Sequence, residues 1–357
     1  MTPLRLYIGA YTQSLGWIEG QAKGVALYQL DSVSGKMEKL SETASDNPSF
    51  LTLHPSGKYL YATNEITKFG VPPDNAVSAF SVAGDGSLTL LNQQASLGGS
   101  PCFISIEPTG KYALVANYSG GNFVMYPIGS DGKLAEASDN SMHRGSGPDK
   151  SRQEAPHAHS INIAPGGKFA LGCDLGLDKI FVYRIDLENG KLVPHSEGVV
   201  AGGSGPRHLD FHPNGKFVYV INEMGGTMTV FTWESGAGKL NAIQTISTVP
   251  ADYTGPKWCA DVHVHPNGKF VYGSNRAHDS IVIYGVDEST GKLSLIGHES
   301  TRGKTPRNIA LTPAGDLLLA ANQDSSNVTV FQIDSATGKL HHLVTNQVPT
   351  PVCVKFV

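Results

Sequence analysis

Residues 205–249 read GPRHLDFHPNGKFVYVINEMGGTMTVFTWESGAGKLNAIQTISTV. Four short runs, RHLDFH, KFVYVIN, TMTVFTW and KLNAIQTIS, are rich in Val, Ile, Phe, Tyr and Thr, which suit a pleated, half-buried surface. Between them, PNGK and SGAGK place glycine where tight hairpins need positive φ. The stretch therefore reads as an antiparallel meander of four strands, A to D.

Working outward, the Gly-Lys-Leu of this unit returns, with variants, from Gly35, Gly86, Gly132, Gly190, Gly238, Gly291 and Gly338. Prolines heading strand A keep step with it at Pro48, Pro101, Pro156, Pro206, Pro256, Pro306 and Pro351. A period of this length carried through a whole chain signals stacked or radial copies of one unit. A lone meander cannot bury both faces, whereas seven packed radially can. The expected fold is all-β: a single-domain seven-bladed β-propeller of four-stranded antiparallel blades over residues 1–357. The C-terminal TPVCVKFV resembles a strand A and the N-terminal LRLYIGAYT a strand B. One blade is thus expected to be shared between residues 1–46 and 351–357, closing the ring by pairing the terminal strands and protecting their edges. No Trp-Asp dipeptide supports the WD40 subtype.

Composition narrows the function. Net charge is −4, from 27 basic and 31 acidic residues with no block of like charge, which argues against a nucleic-acid surface. No run of 18 apolar residues suggests a membrane span, and MTPLRLYIGAYT does not read as a signal peptide. Cys102, Cys173, Cys259 and Cys353 are scattered without CxxC spacing. A reduced cytoplasmic protein, monomeric or weakly homo-oligomeric, is the expectation.

Strand reversal puts the A–B and C–D turns on one face, where the regular lysines read as a solvated rim. The starts of strands A and the ends of strands B lie on the other face, and there the residues vary from blade to blade. Strand-A starts carry Ser49, Cys102, His157 with His159, Arg207 with His208, Trp258 with Asp261, and Arg307 with Asn308. Strand-B ends carry Glu65, Tyr118, Asp174, Glu223, Arg276 and Gln323. Loops 12–23, 66–76 and 145–156 fall on this face and are expected to wall the central opening into a small-ligand pocket.

The succession Pro156-His157-Ala158-His159, Gly205-Pro206-Arg207-His208, Asn222-Glu223 and Ser274-Asn275-Arg276 resembles the seven-bladed propeller lactonase family. So do the HPNGK turns and DLGLDKI at 174–180, and the likeness runs through the whole chain. The family includes bacterial 6-phosphogluconolactonases and the fungal carboxy-cis,cis-muconate cyclase. The resemblance implies His159 as acid/base, Arg207 as anion-binding arginine, and Glu223 with Arg276 as the remaining polar pair. His157, Asp174, Asn222, Asn275, Arg307 and Gln323 are the further candidates for substrate contact.

The residues support that chemistry independently. An imidazole with pKa near ~6.5 can take a proton from water and return it. Guanidinium groups stay charged and pair bidentately with phosphate or carboxylate. Glu223 is read as orienting His159 or an arginine. The same arginines could instead cross-link blades through Glu223 and Asp174. His263 and His265 form a second HxH, but His265 aligns with His54 and His212 beside the far-face turn, so both are read as structural. No third ligand accompanies either HxH at metal spacing, and neither metal nor cofactor is expected. The expected reaction is hydrolysis of a small anionic sugar lactone, most plausibly 6-phosphogluconolactone. The alternatives are a lactonising cycloisomerase acting on a carboxylated muconate and a non-catalytic binding propeller.

Overall fold

The computed structural model describes residues 4–66 and 76–357. They form 28 strands in seven four-stranded antiparallel sheets, with no helix among the described residues and so none that could cross a membrane. The opening stretch becomes strands Pro206–Phe211, Phe217–Asn222, Thr227–Glu234 and Lys239–Ser247, here blade 4. The other strands A are Pro48–Leu53 (blade 1), Pro101–Ile106 (2), Ala158–Ile163 (3), Cys259–Val264 (5), Pro306–Leu311 (6) and Pro351–Phe356 (7). Each strand A packs on the strands A of both neighbouring blades, so these strands line the central axis.

Blade 7 joins the two ends of the chain. Strand Pro351–Phe356 pairs with Leu4–Ala10, setting Ile8 opposite Val354 and Leu6 opposite Phe356. The ring therefore closes through backbone hydrogen bonds, as expected from the terminal motifs.

The Gly-Lys-Leu turns also join blades. All seven glycines have positive φ, a conformation costly for other residues. They also lie against the preceding blade: a Cβ on Gly291 would meet Phe217 Cδ1 at 2.3 Å. The Tyr219 hydroxyl donates to the Gly291 carbonyl at 3.1 Å, and Tyr272 does the same to Gly338 at 2.9 Å. On the same face, His212 and His265 bond through Nε2 to the carbonyls of Gly268 and Gly315, each in the next blade, at 2.8 and 2.7 Å. Those histidines are inter-blade latches, which agrees with their structural reading.

Candidate active site

One irregularity, repeated in every blade, aims side chains into the opening. The A–B pairing slips near the start of each strand A. The unpaired residues are Ser49, Cys102, His159, Arg207, Arg307 and Val352, with Ala260 and Asp261 in blade 5. A β-bulge bends its strand and redirects the extra side chain. Here that extra position is where the chain carries its histidine and two of its arginines.

A second ring comes from the residue just after each strand B: Tyr11, Glu65, Tyr118, Leu175, Glu223, Arg276 and Gln323. Each donates its backbone N–H to the carbonyl two residues before the bulge position, in blade 5 that of Trp258 ahead of Ala260 and Asp261, at 2.7–3.1 Å. These bonds hold the second ring above the first.

The two rings and two loops enclose a cavity of about 800 Å³, within the size range of small-ligand sites. Its lining includes His159, Arg307, Glu223, Arg276 and Tyr118. Loop 12–23 adds Trp17, set edge-on to Tyr11 at 5.2 Å. Loop 145–156 adds Arg152. That loop is pinned by buried Gln153, whose Nε2 donates to the Leu175 carbonyl at 2.8 Å and whose Oε1 accepts from Asp149 N at 3.1 Å. Most of loop 66–76 lies outside the described residues.

Glu223 organises one side of the cavity. Its Oε1 accepts from Arg152 Nη2 at 2.6 Å and its Oε2 from Arg207 Nε at 3.1 Å, and Oε2 pairs with Arg276 Nη2 at 2.7 Å. Burial pushes the carboxyl pKa up, but Arg276, Arg207 and Arg152 outweigh it and hold the group at about 2. The arginines are fixed in turn: Arg276 donates to the Cys259 carbonyl through Nε and Nη2 at 3.2 and 3.0 Å, and Arg207 to the Ala260 carbonyl at 2.6 Å. Burial and then the charges of Arg276 and Arg307 lower Arg207 to about 10.

His159 is buried beside these cations, and no carboxylate of the described residues lies within ion-pair distance of it. Burial first, then Arg207, His208 and Arg307, push its pKa well below the usual histidine value, so the ring is neutral near pH 7. Its Nδ1 lies 3.8 Å from Cys102 Sγ, and its ring meets Tyr118 and His208 edge-on. Burial drives the Cys102 thiol pKa strongly up, against a thiolate nucleophile. Among the described residues no group of three His, Cys, Asp or Glu side chains is arranged to hold a metal ion.

The propeller lactonase model, described as "Lactonase, 7-bladed beta-propeller", matches residues 5–356. The chain belongs to this lactonase family. It is 33% identical over 359 residues to the 6-phosphogluconolactonase of Bacillus subtilis strain 168, covering 100% of this chain and 99% of that one. It is 36% identical over 313 residues to the 6-phosphogluconolactonase of Formosa agariphila, covering 86% of each. The solved periplasmic gluconolactonase of Pseudomonas aeruginosa superposes with a TM-score of 0.92 at 30% identity, covering 100% of this chain and 99% of that one.

Within this lactonase-family fold the candidate residues separate by position. His159, Glu223, Arg276, Arg307 and Gln323 line the cavity. Arg207 borders the adjoining recess, which shares His159, Cys102, Glu65 and Arg307 with it. Four others do not line it, and here the structure differs from the expected arrangement. Asn222, Asn275 and Asp174 end their strands B one residue before the second ring, so alternation along the strand turns them away from the cavity. Asn275 donates to the Thr248 carbonyl at 2.7 Å, Asn222 to Thr229 at 2.9 Å, and Asp174 pairs with His143 at 2.5 Å. Leu175, not Asp174, holds the ring position in blade 3. His157 stacks on the Tyr118 ring at 4.5 Å and supports it from outside the cavity. The alternative of blade cross-linking holds for Glu223, which joins Arg276 of the next blade, while Asp174 takes no arginine.

Sequence reasoning missed Arg152, whose signal was its place in the longest loop on this face. It also missed an axial belt beneath the site. His208 Nε2 accepts from Arg207 Nη1 at 3.3 Å while Nδ1 donates to Asp261 Oδ1 at 2.8 Å. Asp261 Oδ2 accepts from Asn308 Nδ2, and Asn308 Oδ1 accepts from Val354 N at 2.8 Å. The belt thus runs from blade 4 through blades 5 and 6 to the closing strand. His263 lies 3.4 Å from Asp261 and 3.7 Å from Asp210. Against burial, Asp261 and Asp210 raise His263 to about 10, whereas burial and Arg207 lower His208 to about 4. Asp261→Ala removes the carboxylate that accepts from His208 and Asn308 and that chiefly holds His263 protonated, leaving those partners unsatisfied. The expected loss is about 3–5 kcal/mol of unfolding free energy, read from urea denaturation. A midpoint equal to wild type would show that the belt carries no stability.

Proposed function

We propose that the protein hydrolyses 6-phosphogluconolactone to 6-phosphogluconate, with His159 as general base and then acid. The observation that carries this reading is a single cavity holding a neutral imidazole beside a guanidinium cluster, in a lactonase-family chain. Water attacks the lactone carbonyl carbon as His159 takes its proton, giving a tetrahedral oxyanion. The carbon–ring oxygen bond then breaks, and the ring oxygen leaves as a hydroxyl after receiving that proton. The product acid ionises, releasing one proton to solvent. Arg276, held in place by Glu223 and the Cys259 carbonyl, offsets the oxyanion, worth about 3 kcal/mol if it acts like one oxyanion-hole donor. Glu223, with a pKa of about 2, is a weak base, and its bonds support a positioning role. The four buried, unpaired cysteines support a reducing, cytoplasmic setting.

The test is a panel of lactones, phosphorylated and not, with a carboxylated muconate beside them, each measured against spontaneous hydrolysis in a pH-stat. The phosphorylated δ-lactone is expected to show the highest kcat/KM; turnover of the muconate alone would replace hydrolysis by cycloisomerisation. Because the neutral imidazole is the active base and its pKa is depressed, it stays unprotonated as pH falls below the usual histidine range. The acid limb of kcat/KM is therefore expected below pH ~6.5. A limb at or above that value contradicts the assignment of His159.

A further inference from the structure

The cavity has two unlike poles. Blades 3 to 5 carry His159 and the cluster around Glu223; across the opening, blades 6, 7 and 1 carry Arg307, Tyr11 with Trp17, and Glu65. Building on the lactonase reading, we propose that Arg307 is the docking point for the substrate's phosphate monoester. The lactone ring then extends across the opening towards His159 and Arg276.

The state of each guanidinium points there. Arg152, Arg207 and Arg276 are already bonded to Glu223, and a phosphate at that pole would face its carboxylate. Arg307 donates no hydrogen bond among the described residues. Its nearest carboxylate oxygen, Glu65 Oε1, is 4.0 Å away, beyond hydrogen-bonding distance. Glu65 is held back by the Tyr11 hydroxyl, which donates to Oε2 at 2.8 Å. The other carboxylate on this side, Asp324, accepts from Gln323 Nε2 at 2.7 Å and from the Thr305 hydroxyl.

Arg307 has Glu65 as a counter-charge at 4.0 Å, but none of its N–H donors is taken by a hydrogen bond among the described residues. Its guanidinium carbon lies 5.3 Å from the Trp17 ring centroid and 5.8 Å from that of Tyr11, and its side chain is 14% exposed. Aromatic contacts of this kind orient a cation while leaving its N–H donors available. A desolvated guanidinium lacking acceptors gains from a ligand that supplies them, and phosphate oxygens match its fork. Blade 6 is three blades from blade 3 in the ring of seven, and Arg307 lines both the cavity and the adjoining recess with His159, so a phosphate held by Arg307 leaves the lactone ring beside His159.

The experiment compares wild type with Arg307→Gln on 6-phosphogluconolactone and on unphosphorylated gluconolactone. Losing a charged hydrogen-bonding partner is expected to lower kcat/KM for the phosphorylated lactone roughly 10- to 150-fold, mainly through KM. Turnover of the unphosphorylated lactone falls by a smaller factor, because it carries no phosphate for Arg307 to bind, so the ratio of kcat/KM on the two lactones drops roughly 10-fold or more. Equal losses on both substrates, or none on either, overturn the proposal. Inorganic phosphate supplies a readout without turnover: it is expected to alter wild-type tryptophan fluorescence through Trp17, with the change abolished in Arg307→Gln and Trp17→Phe. A signal that survives in both variants places the anion elsewhere and overturns the proposal. Wild type inert towards both lactones overturns the reaction instead, and the phosphate titration still decides the subsite.

Discussion

His159→Gln is expected to lower kcat for lactone hydrolysis by roughly 10²–10⁴-fold, the usual range for loss of a positioned general acid–base group. KM should change little, since a neutral imidazole contributes little to holding an anion. Glutamine keeps polar atoms near the position of the imidazole but cannot exchange a proton near neutral pH. The fold should tolerate the change, because His159 has no ion-pair partner among the described residues and touches Cys102, Tyr118 and His208 through ring edges and a 3.8 Å sulfur contact. The variant should also lose the acid limb below pH ~6.5, leaving a flat, slow profile. Measurement needs initial rates corrected for spontaneous opening of the lactone. Wild-type kcat in His159→Gln would remove the imidazole from the mechanism and leave the arginine cluster as the catalytic feature.

Glu223→Gln is expected to lower stability by about 3–5 kcal/mol, because it removes the negative charge shared by Arg152, Arg207 and Arg276. Arg207 suffers most, being buried with Arg276 and Arg307 nearby. Activity should fall with it, as Arg276 loses one of the two groups that orient it. Acid denaturation gives an independent signature. Glu223 titrates at about 2 in the folded protein, against an ordinary 4.5. Its contribution is therefore fully present above pH ~4.5 and lost as pH falls through about 2, on the order of 3 kcal/mol in all. Glu223→Gln should flatten stability across that window, as measured by chemical denaturation at a series of pH values. Unchanged denaturation midpoints across the series would show that the arginines are solvated well enough to need no counter-charge.

The sequence repeat also contained information about the site that the candidate residues did not fully use. Strand B ends on Asn64, Asn117, Asn222, Asn275 and Asn322, with Asp174 in the same place. A side chain repeated in this way serves something every blade needs: Asn64, Asn117, Asn275 and Asn322 tie the strand end to the segment leading in from the preceding blade, and Asn222 ties it to its own strand C. Asn222, Asn275 and Asp174 follow the repeat, unlike His159 and Glu223, and lie outside the cavity lining. Asp174 is one residue of register from Leu175, which holds the ring position, enough in a strand to reverse the direction of a side chain. His157 lies outside the cavity lining for another reason: in blade 3 the bulge frees a single residue at the strand start, and that residue is His159.

By itself the sequence determined the number of blades, their strand order, the closing strand and the face on which residues vary. These follow from hydrophobic alternation and turn chemistry among neighbouring residues, repeated until the pattern is unambiguous. Tertiary structure alone decided which charges meet. Arg152, Arg207 and Arg276 reach Glu223 from a loop, a bulge and a strand end in different parts of the ring, while Arg307 is left facing two aromatic rings. Such pairings depend on bulge geometry and on the radius of the closed ring. Both act over distances of a few ångströms between residues many positions apart, and no local pattern encodes them.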